Sequence, residues 1–289
     1  MFKENHLEDI EKFWPKEGPD IKNVPKYITK YKKEKIVIKC GGNVLVDSGL
    51  FNNFIDDIVV LNKLGLTTIV VHGGGPRIKK NLEKHNIKSV FINGLRVTDN
   101  KTMEIVQQSL EEFNNEIVDA FSKKSCKALG VNASKNNVFI VEQESKELGF
   151  VGKPKKILSE KILSILKENL VPVLSPMGLD ASDQKYNINA DTAACAIAKS
   201  LKSRRLLLMT DVEGVYDLEK KLISEIKPFD IKNLIEWKIV QGGMIPKIKN
   251  CVDAVENGVR GVVIIDGRKP HSILHEIFSD KGSGTLIRK

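Results

Sequence analysis

The sequence predicts an α/β fold with a mainly parallel sheet covered by helices on both faces. Short apolar, β-branched runs recur along the chain, and segments of helical periodicity separate them. That alternation marks crossover connections between parallel strands. The runs are uninterrupted rather than alternating, as strands buried on both faces are. Most of them end on glycine or aspartate, at the strand ends where ligands bind in such sheets.

Ile36-Val37-Ile38 is the first such run, and it leads into Gly41-Gly42. Leu50, Phe51, Phe54, Ile55, Ile58 and Leu61 then recur at helical spacing, with Gly65 placed to end the helix. Thr67-Thr68-Ile69-Val70-Val71 predicts the second strand, which ends at His72-Gly73-Gly74-Gly75. Pro76 suits the first turn of the following helix. A long helix is expected from Asp99, its N-cap, to about residue 124. Residues 138–141 and 171–174 read as strands, and 189–201 as a helix. Residues 206–209 form a strand followed by Thr210-Asp211. Gly242-Gly243 opens a helix that ends near Gly258. Residues 262–265 make the last parallel strand, followed by Asp266-Gly267-Arg268 and a helix from Pro270.

Residues 1–34 differ from the rest. They are polar, contain Pro15, Pro19 and Pro25, and carry one narrow apolar stripe, Tyr27, Ile28 and Tyr31. A stripe of that size makes no core of its own and must pack on the main body or on another subunit.

The 289 residues suffice for one large domain or two joined lobes without disulfides or a structural metal. With 41% hydrophobic and 29% charged residues, the composition is that of a globular chain, not a disordered one. The net charge of +9 favours an acidic partner, but the lysines are scattered among acids without a basic, aromatic-interleaved stripe, so no nucleic-acid partner is expected. The N-terminal residues show no apolar signal core, and no uncharged run reaches membrane-spanning length. A cytoplasmic protein without a membrane partner is the expectation. Cys40, Cys126, Cys195 and Cys251 form no CxxC pair and are expected to be buried thiols. His271 and His275 share i, i+4 spacing, but no third metal ligand accompanies them, so one buried and one exposed histidine is expected.

Walker A, HRD/DFG, GxGxxG, HExxH and GxSxG patterns are all absent. Glycine, lysine and one aspartate remain. Lys39-Cys40-Gly41-Gly42 puts a lysine at the end of a buried strand before a loop of free N–H groups, and His72-Gly73-Gly74-Gly75-Pro76 puts a second loop at a helix start. Either loop alone is equally a tight turn. Two of them, one with a lysine, point to phosphate or carboxylate binding. Asn189 is a good N-cap for the helix that carries Asp191 in its first turn, and Lys247 follows the glycine pair Gly242-Gly243.

Six segments, in order, resemble the amino acid kinase family: Ile38-Lys39-x-Gly41-Gly42, His72-Gly73-Gly74-Gly75, Gly94-Leu95-Arg96-Val97-Thr98, Asn187-Ile188-Asn189-Ala190-Asp191, Thr210-Asp211-Val212-x-Gly214-Val215 and Gly242-Gly243-Met244-x-x-Lys247. The resemblance spans residues 36–287. It implies an open αβα sandwich with residues 35–180 as an acyl-substrate-binding and dimerisation lobe and 181–289 as a nucleotide-binding lobe. It implies phosphorylation of the side-chain carboxylate of N-acetyl-L-glutamate by ATP, the second step of arginine biosynthesis. Mg²⁺ would arrive bound to the nucleotide, with no metal ligands from the protein. Leu95 and Val97 beside Arg96 suit the free acid rather than a carrier-bound aminoadipate.

By the same resemblance, Lys39 and Lys247 clamp the transferring phosphoryl group and Asp191 orients both. Gly41, Gly42 and Gly74 donate backbone N–H groups. Gly74, Gly75, Arg96, Asn187 and Asn189 hold the acyl substrate, with Arg96 on its α-carboxylate. Gly41, Gly42, Thr210, Asp211, Gly214, Val215 and Gly243 hold the nucleotide. Arginine-inhibited members carry an extension like residues 1–34, which joins dimers into a hexamer. Tyr27, Glu276 and Gly282 match positions of their arginine site, whereas Val263 stands where a histidine is frequent. A homodimer or homohexamer with L-arginine as effector is therefore expected.

Overall fold

The structure, a computed structural model, describes residues 7–289. The first six residues of the predicted extension lie outside the described residues. The extension holds α1 (Leu7–Glu11) and α2 (Val24–Tyr31). There follow β1 (Lys35–Cys40), α3 (Ser48–Lys63), β2 (Thr67–His72), α4 (Gly75–Lys84), the hairpin of β3 (Phe91–Ile92) and β4 (Leu95–Arg96), and α5 (Asn100–Lys123). Next come β5 (Ala128–Val131), β6 (Phe139–Gln143), β7 (Gly152–Ile157), α6 (Ser159–Lys167), β8 (Val171–Leu174), β9 (Met177–Leu179) and β10 (Lys185–Asn187). The rest comprises α7 (Ala190–Ser200), β11 (Arg205–Thr210), β12 (Glu225–Ile226), α8 (Ile231–Glu236), α9 (Met244–Glu256), β13 (Val262–Asp266), α10 (Ser272–Phe278) and β14 (Gly284–Ile287).

One eight-stranded sheet runs through the molecule in the order β12-β14-β13-β11-β1-β2-β8-β5. Every pair in it is parallel except β13 with β14. β1 lies at the centre, its residues Ile36 and Ile38 facing one core and Val37 the other. The first core takes its helical residues from α1, α2, α3, α5 and α10; the second takes them from α6, α7, α8 and α9. This is the expected αβα sandwich. A four-stranded sheet, β10-β9-β6-β7, and the β3–β4 hairpin stand beside it. No described helix is long and apolar enough to cross a membrane.

The helix ends follow the expected chemistry. Asp99 Oδ1 accepts the Thr102 N–H at 2.8 Å, and Asn189 Oδ1 accepts those of Asp191 and Thr192 at 3.0 and 3.1 Å. Gly65 has a φ of +76° just beyond α3, where a residue with a Cβ would be strained.

The strand at 262–265 is the last to run with the central parallel strands, as expected, but the chain then adds one strand more, β14, which inserts between β13 and β12 antiparallel to β13. Its opening Gly284 lies so close to the Ile264 carbonyl that a Cβ would overlap it, so this strand begins without the apolar run that marks the others. The last helix starts at Ser272, because Pro270 and a left-handed His271 (φ +51°) form a turn before it. His271 therefore shares no helix face with His275: it is buried, while His275 is half-buried with Nε2 3.0 Å from the Glu17 carbonyl oxygen. The apolar stripe of the extension holds Tyr27 and Tyr31, as expected, joined by Val24, all at most 2% exposed, with Ile28 partly buried against the same core; of the two expected partners it packs on the main body, against α10. All four cysteines are buried, as expected.

Candidate active site

The central strand delivers the first functional group. Lys39 leaves β1 where the flanking strands β2 and β11 also end, and it is 9% exposed. Its ammonium lies over Gly41, where any Cβ would overlap it. Gly42 follows with a φ of +63° and Asp211, just past β11, at its back. The Gly73 N–H donates to the Cys40 carbonyl oxygen at 2.8 Å, which seats the second glycine loop beside the first. Gly74 is packed so tightly that a Cβ would lie 2.6 Å from Leu110. α4 begins immediately after, with its unpaired N–H groups at the loop.

Asp191 occupies the first turn of α7 and Lys247 the first turn of α9. The two helices pack together, and Asn250 Nδ2 donates to Thr192 Oγ1 at 3.3 Å. Asp191 Oδ1 lies 3.0 Å from Lys39 Nζ, and its Oδ2 accepts from Lys247 Nζ. Burial pushes this carboxyl up, but the two ammonium groups outweigh burial and hold it below the ordinary carboxylate range. Within this triad two cations face one anion. Such a centre suits an anion that requires more than one counter-charge.

A cleft of about 240 Å³ opens from Lys39. Gly41, Gly42, Gly74, Gly75, Arg96, Asn187 and Asn189 all line it. Arg96, 8% exposed, comes from β4 and lines the same cleft. It donates to Ser89 Oγ at 2.5 Å and to the Gly75 carbonyl at 3.4 Å, and it stacks 4.7 Å from the Phe91 ring. Burial lowers its pKa, but a guanidinium remains charged. The cleft is thus lined by both a buried guanidinium and an ammonium, two contacts suited to an acidic molecule with two carboxylates.

The remaining expected residues lie outside this cleft. Thr210 ends β11, and Asp211 stands behind Gly42. Val215 is buried in the core, its N–H donating to Thr285 Oγ1 and its carbonyl oxygen accepting the Ile223 N–H, both at 2.8 Å, so both backbone groups are engaged within the chain. Gly214, with a φ of +155°, leaves no room for a Cβ beside Thr285. Gly243 precedes α9 and so sets the start of the turn that bears Lys247.

Tyr27, Glu276 and Gly282 come together at the end of α10. The Tyr27 hydroxyl donates to Asp280 Oδ1 at 2.6 Å, and its ring stands edge-on to Phe278. Burial, then Asp280, pushes this phenol up to about 12. Glu276 Oε2 accepts the Ser283 N–H at 2.9 Å and lies 2.7 Å from where a Gly282 Cβ would be. Burial pushes the Glu276 carboxyl up, while Arg205 and Lys30 pull it down. Val263 is fully buried on β13, in the same core as α2 and α10. Sequence reasoning assigned no role to His72, Asn114 or Ser175, which join behind the second glycine loop. The motif His72-Gly73-Gly74-Gly75 marked only the position of the first.

The model of the Amino acid kinase family matches residues 34–266. A protein named acetylglutamate kinase from Pelagibacter ubique (strain HTCC1062) is 56% identical over 282 residues, 98% of either chain. Another of that name, from Clostridioides difficile (strain 630), is 46% identical over 268 residues, 91% of this chain and 94% of the other. Among solved structures, an N-acetylglutamate synthase from Neisseria gonorrhoeae, complexed with coenzyme A and N-acetyl-glutamate, has a TM-score of 0.84 at 22% identity. That match covers 92% of this chain, which spans only 62% of the synthase. A carbamate kinase from Giardia lamblia bound to AMP-PNP has a TM-score of 0.64 at 17% identity, over 89% of this chain and 98% of that one. These two likenesses are of fold. With the family model matched over most of its length and relatives this similar end to end, the chain belongs to the amino acid kinase family.

Proposed function

We infer that this chain transfers the γ-phosphoryl group of ATP to the side-chain carboxylate of N-acetyl-L-glutamate, giving ADP and N-acetyl-L-glutamyl 5-phosphate in arginine biosynthesis. The observation that carries the reading is a single cleft lined by both Arg96 and Lys39, with Lys39 linked through Asp191 to Lys247. The high identity to proteins named acetylglutamate kinase supports the choice of substrate.

The nucleophile ionises at about pH 4.3 as a free side chain, so no general base is needed at neutral pH. A carboxylate oxygen attacks the γ-phosphorus, the bond to the β,γ-bridging oxygen breaks, and the electron pair leaves with ADP. The obstacle is repulsion between anions. Lys39 and Lys247 meet the charge that develops on the phosphoryl oxygens, and Gly41, Gly42 and Gly74 add N–H donors. Asp191 positions the two ammonium groups and takes no proton. Arg96 holds the α-carboxylate through a paired donor fork, with Gly75, Asn187 and Asn189 completing the acyl site. Mg²⁺ comes with the triphosphate and neutralises part of its charge.

In this reading residues 35–180 form the acyl and dimerisation lobe and 181–289 the nucleotide lobe. The nucleotide lies along Thr210, Asp211, Gly214, Val215 and Gly243. L-Arginine is the effector, held by Glu276 and covered by the Tyr27 ring beside Gly282, and the protein works as a cytoplasmic homodimer or homohexamer. The deciding assay is ADP release with N-acetylglutamate, glutamate, aspartate and aminoadipate as acceptors. Turnover is expected with N-acetylglutamate and not with glutamate; equal rates for the two refute the assignment.

A further inference from the structure

His72 ends β2 with no exposed surface, and the transfer chemistry has no use for an imidazole proton. Its Nδ1 lies 2.9 Å from the Gly73 carbonyl oxygen. A carbonyl only accepts, so Nδ1 carries the proton. Nε2 is then the acceptor, and Asn114 Nδ2 and Ser175 Oγ both meet it at 3.1 Å. Burial holds the ring neutral, with its pKa down at about 4. The other hydrogen of the Asn114 amide goes to the Val173 carbonyl oxygen at 2.9 Å. The amide fits because residue 130 is glycine: a Cβ there would overlap Asn114 Oδ1. Groups from α5, β5, β8 and the loop after β8 thus fix one tautomer of one ring.

The ring in turn fixes a peptide. Among the described residues no peptide bond is cis, and in a trans peptide the C=O and N–H point in opposite directions. With the Gly73 carbonyl turned inward to the buried imidazole, the Gly74 N–H points outward. Gly73, Gly74 and Gly75 line the cleft, so an N–H turned away from the buried ring is placed to face it. Among the described residues the Gly74 N–H has no protein acceptor. A peptide between two glycines has little steric resistance to turning over. Turned over, it would present a carbonyl oxygen to the incoming phosphates.

We propose that His72 is a positioning residue for phosphoryl transfer: its Nδ1–H, set by Asn114 and Ser175, holds the Gly73–Gly74 peptide so that an N–H and not a carbonyl faces the transferring group. This deepens the kinase reading and rests on it.

Asparagine places an amide nitrogen near the position of Nδ1, glutamine places it near Nε2, and leucine supplies neither. His72→Asn should keep kcat within about tenfold of the parent, whereas His72→Gln and His72→Leu should lose on the order of 10²-fold, the scale of one transition-state donor. KM for N-acetylglutamate should change less than kcat, and the Asn and Gln variants should melt alike. Equal kcat in those two variants overturns the proposal. A second readout needs no acceptor: the amide resonance of ¹⁵N-labelled Gly74 on addition of MgADP with aluminium fluoride. It should move in the parent and His72→Asn and stay in His72→Gln and His72→Leu. No movement in the parent, or the same movement in all four, overturns the proposal. If that pattern holds while the parent fails to turn over N-acetylglutamate, the positioning role stands and the acceptor assignment falls.

Discussion

The Asp57 carboxylate and the His271 imidazole lie 2.6 Å apart, joining the middle of α3 to the turn before α10. Asp57 is 2% exposed and also accepts a backbone hydrogen bond from Leu274, so a side chain of one helix caps the start of another. His271 itself provides no side-chain cap. This link anchors the helix that carries Glu276.

The pair makes stability depend on pH. Burial pushes Asp57 up to about 6, and its hydrogen bond to Asp57 raises His271 above the ordinary imidazole value. Both groups therefore bind protons more tightly folded than unfolded, where their values are about 3.9 and 6.5. Their contribution is full at low pH and is lost as pH rises, for Asp57 between about 4 and 6 and for His271 above about 6.5. Asp57→Asn should cost on the order of 3 kcal/mol at pH 6 and should lose less stability than the parent between pH 6 and pH 8. Urea unfolding at the two pH values measures this; parallel slopes for parent and variant refute it.

Lys39→Ala and Lys247→Ala should each lower kcat by on the order of 10²–10³ while KM for either substrate moves far less. Their effects should not add, because both lysines share Asp191. Asp191→Ala should match them. Its carboxyl is held below the ordinary range, so its contribution is present above about pH 3.9 and fades only as pH falls through the lower folded value. The kcat profile should accordingly be flat from pH 6 to 9. A near-normal kcat for Asp191→Ala, or an essential base titrating near pH 7, contradicts the mechanism.

Arg96→Lys retains the charge but loses the planar fork. It should raise KM for N-acetylglutamate on the order of tenfold or more and leave KM for ATP within about twofold. Initial-rate kinetics in both substrates decides this, and a defect confined to ATP would move Arg96 out of the acyl site.

L-Arginine should inhibit the parent, and Glu276→Gln should weaken that inhibition on the order of tenfold, since a charged acceptor for the guanidinium or amino group becomes neutral. Inhibition curves at fixed substrate test it. An uninhibited parent, or a variant with an unchanged curve, removes the effector role from Glu276.

The central strands were legible because burial on both faces leaves an uninterrupted apolar run, as in Ile36-Val37-Ile38. β7 was not, because Gly152–Ile157 reads Gly-Lys-Pro-Lys-Lys-Ile and is half exposed. β12 has two residues and its neighbour β14 begins on glycine, so neither carries a period. At the site, Lys39 and the glycines were visible as strand ends, and Asn189 as a cap. The bonds of Tyr27 to Asp280 and of Asn114 to His72 span 253 and 42 residues, and no local pattern encodes a partner at such a distance.

The position of β1 has a consequence for synthesis. It pairs on one side with β2 but on the other with β11, residues 205–210. At about 5–20 residues per second, a ribosome needs on the order of ten seconds or more to deliver that second neighbour after β1 has emerged. Throughout that interval the strand that bears Lys39 has an open, apolar edge, a template for pairing with other nascent chains. The burden of protecting the growing polypeptide therefore falls on whatever covers that edge first, and a fragment that stops before residue 205 would never relieve it.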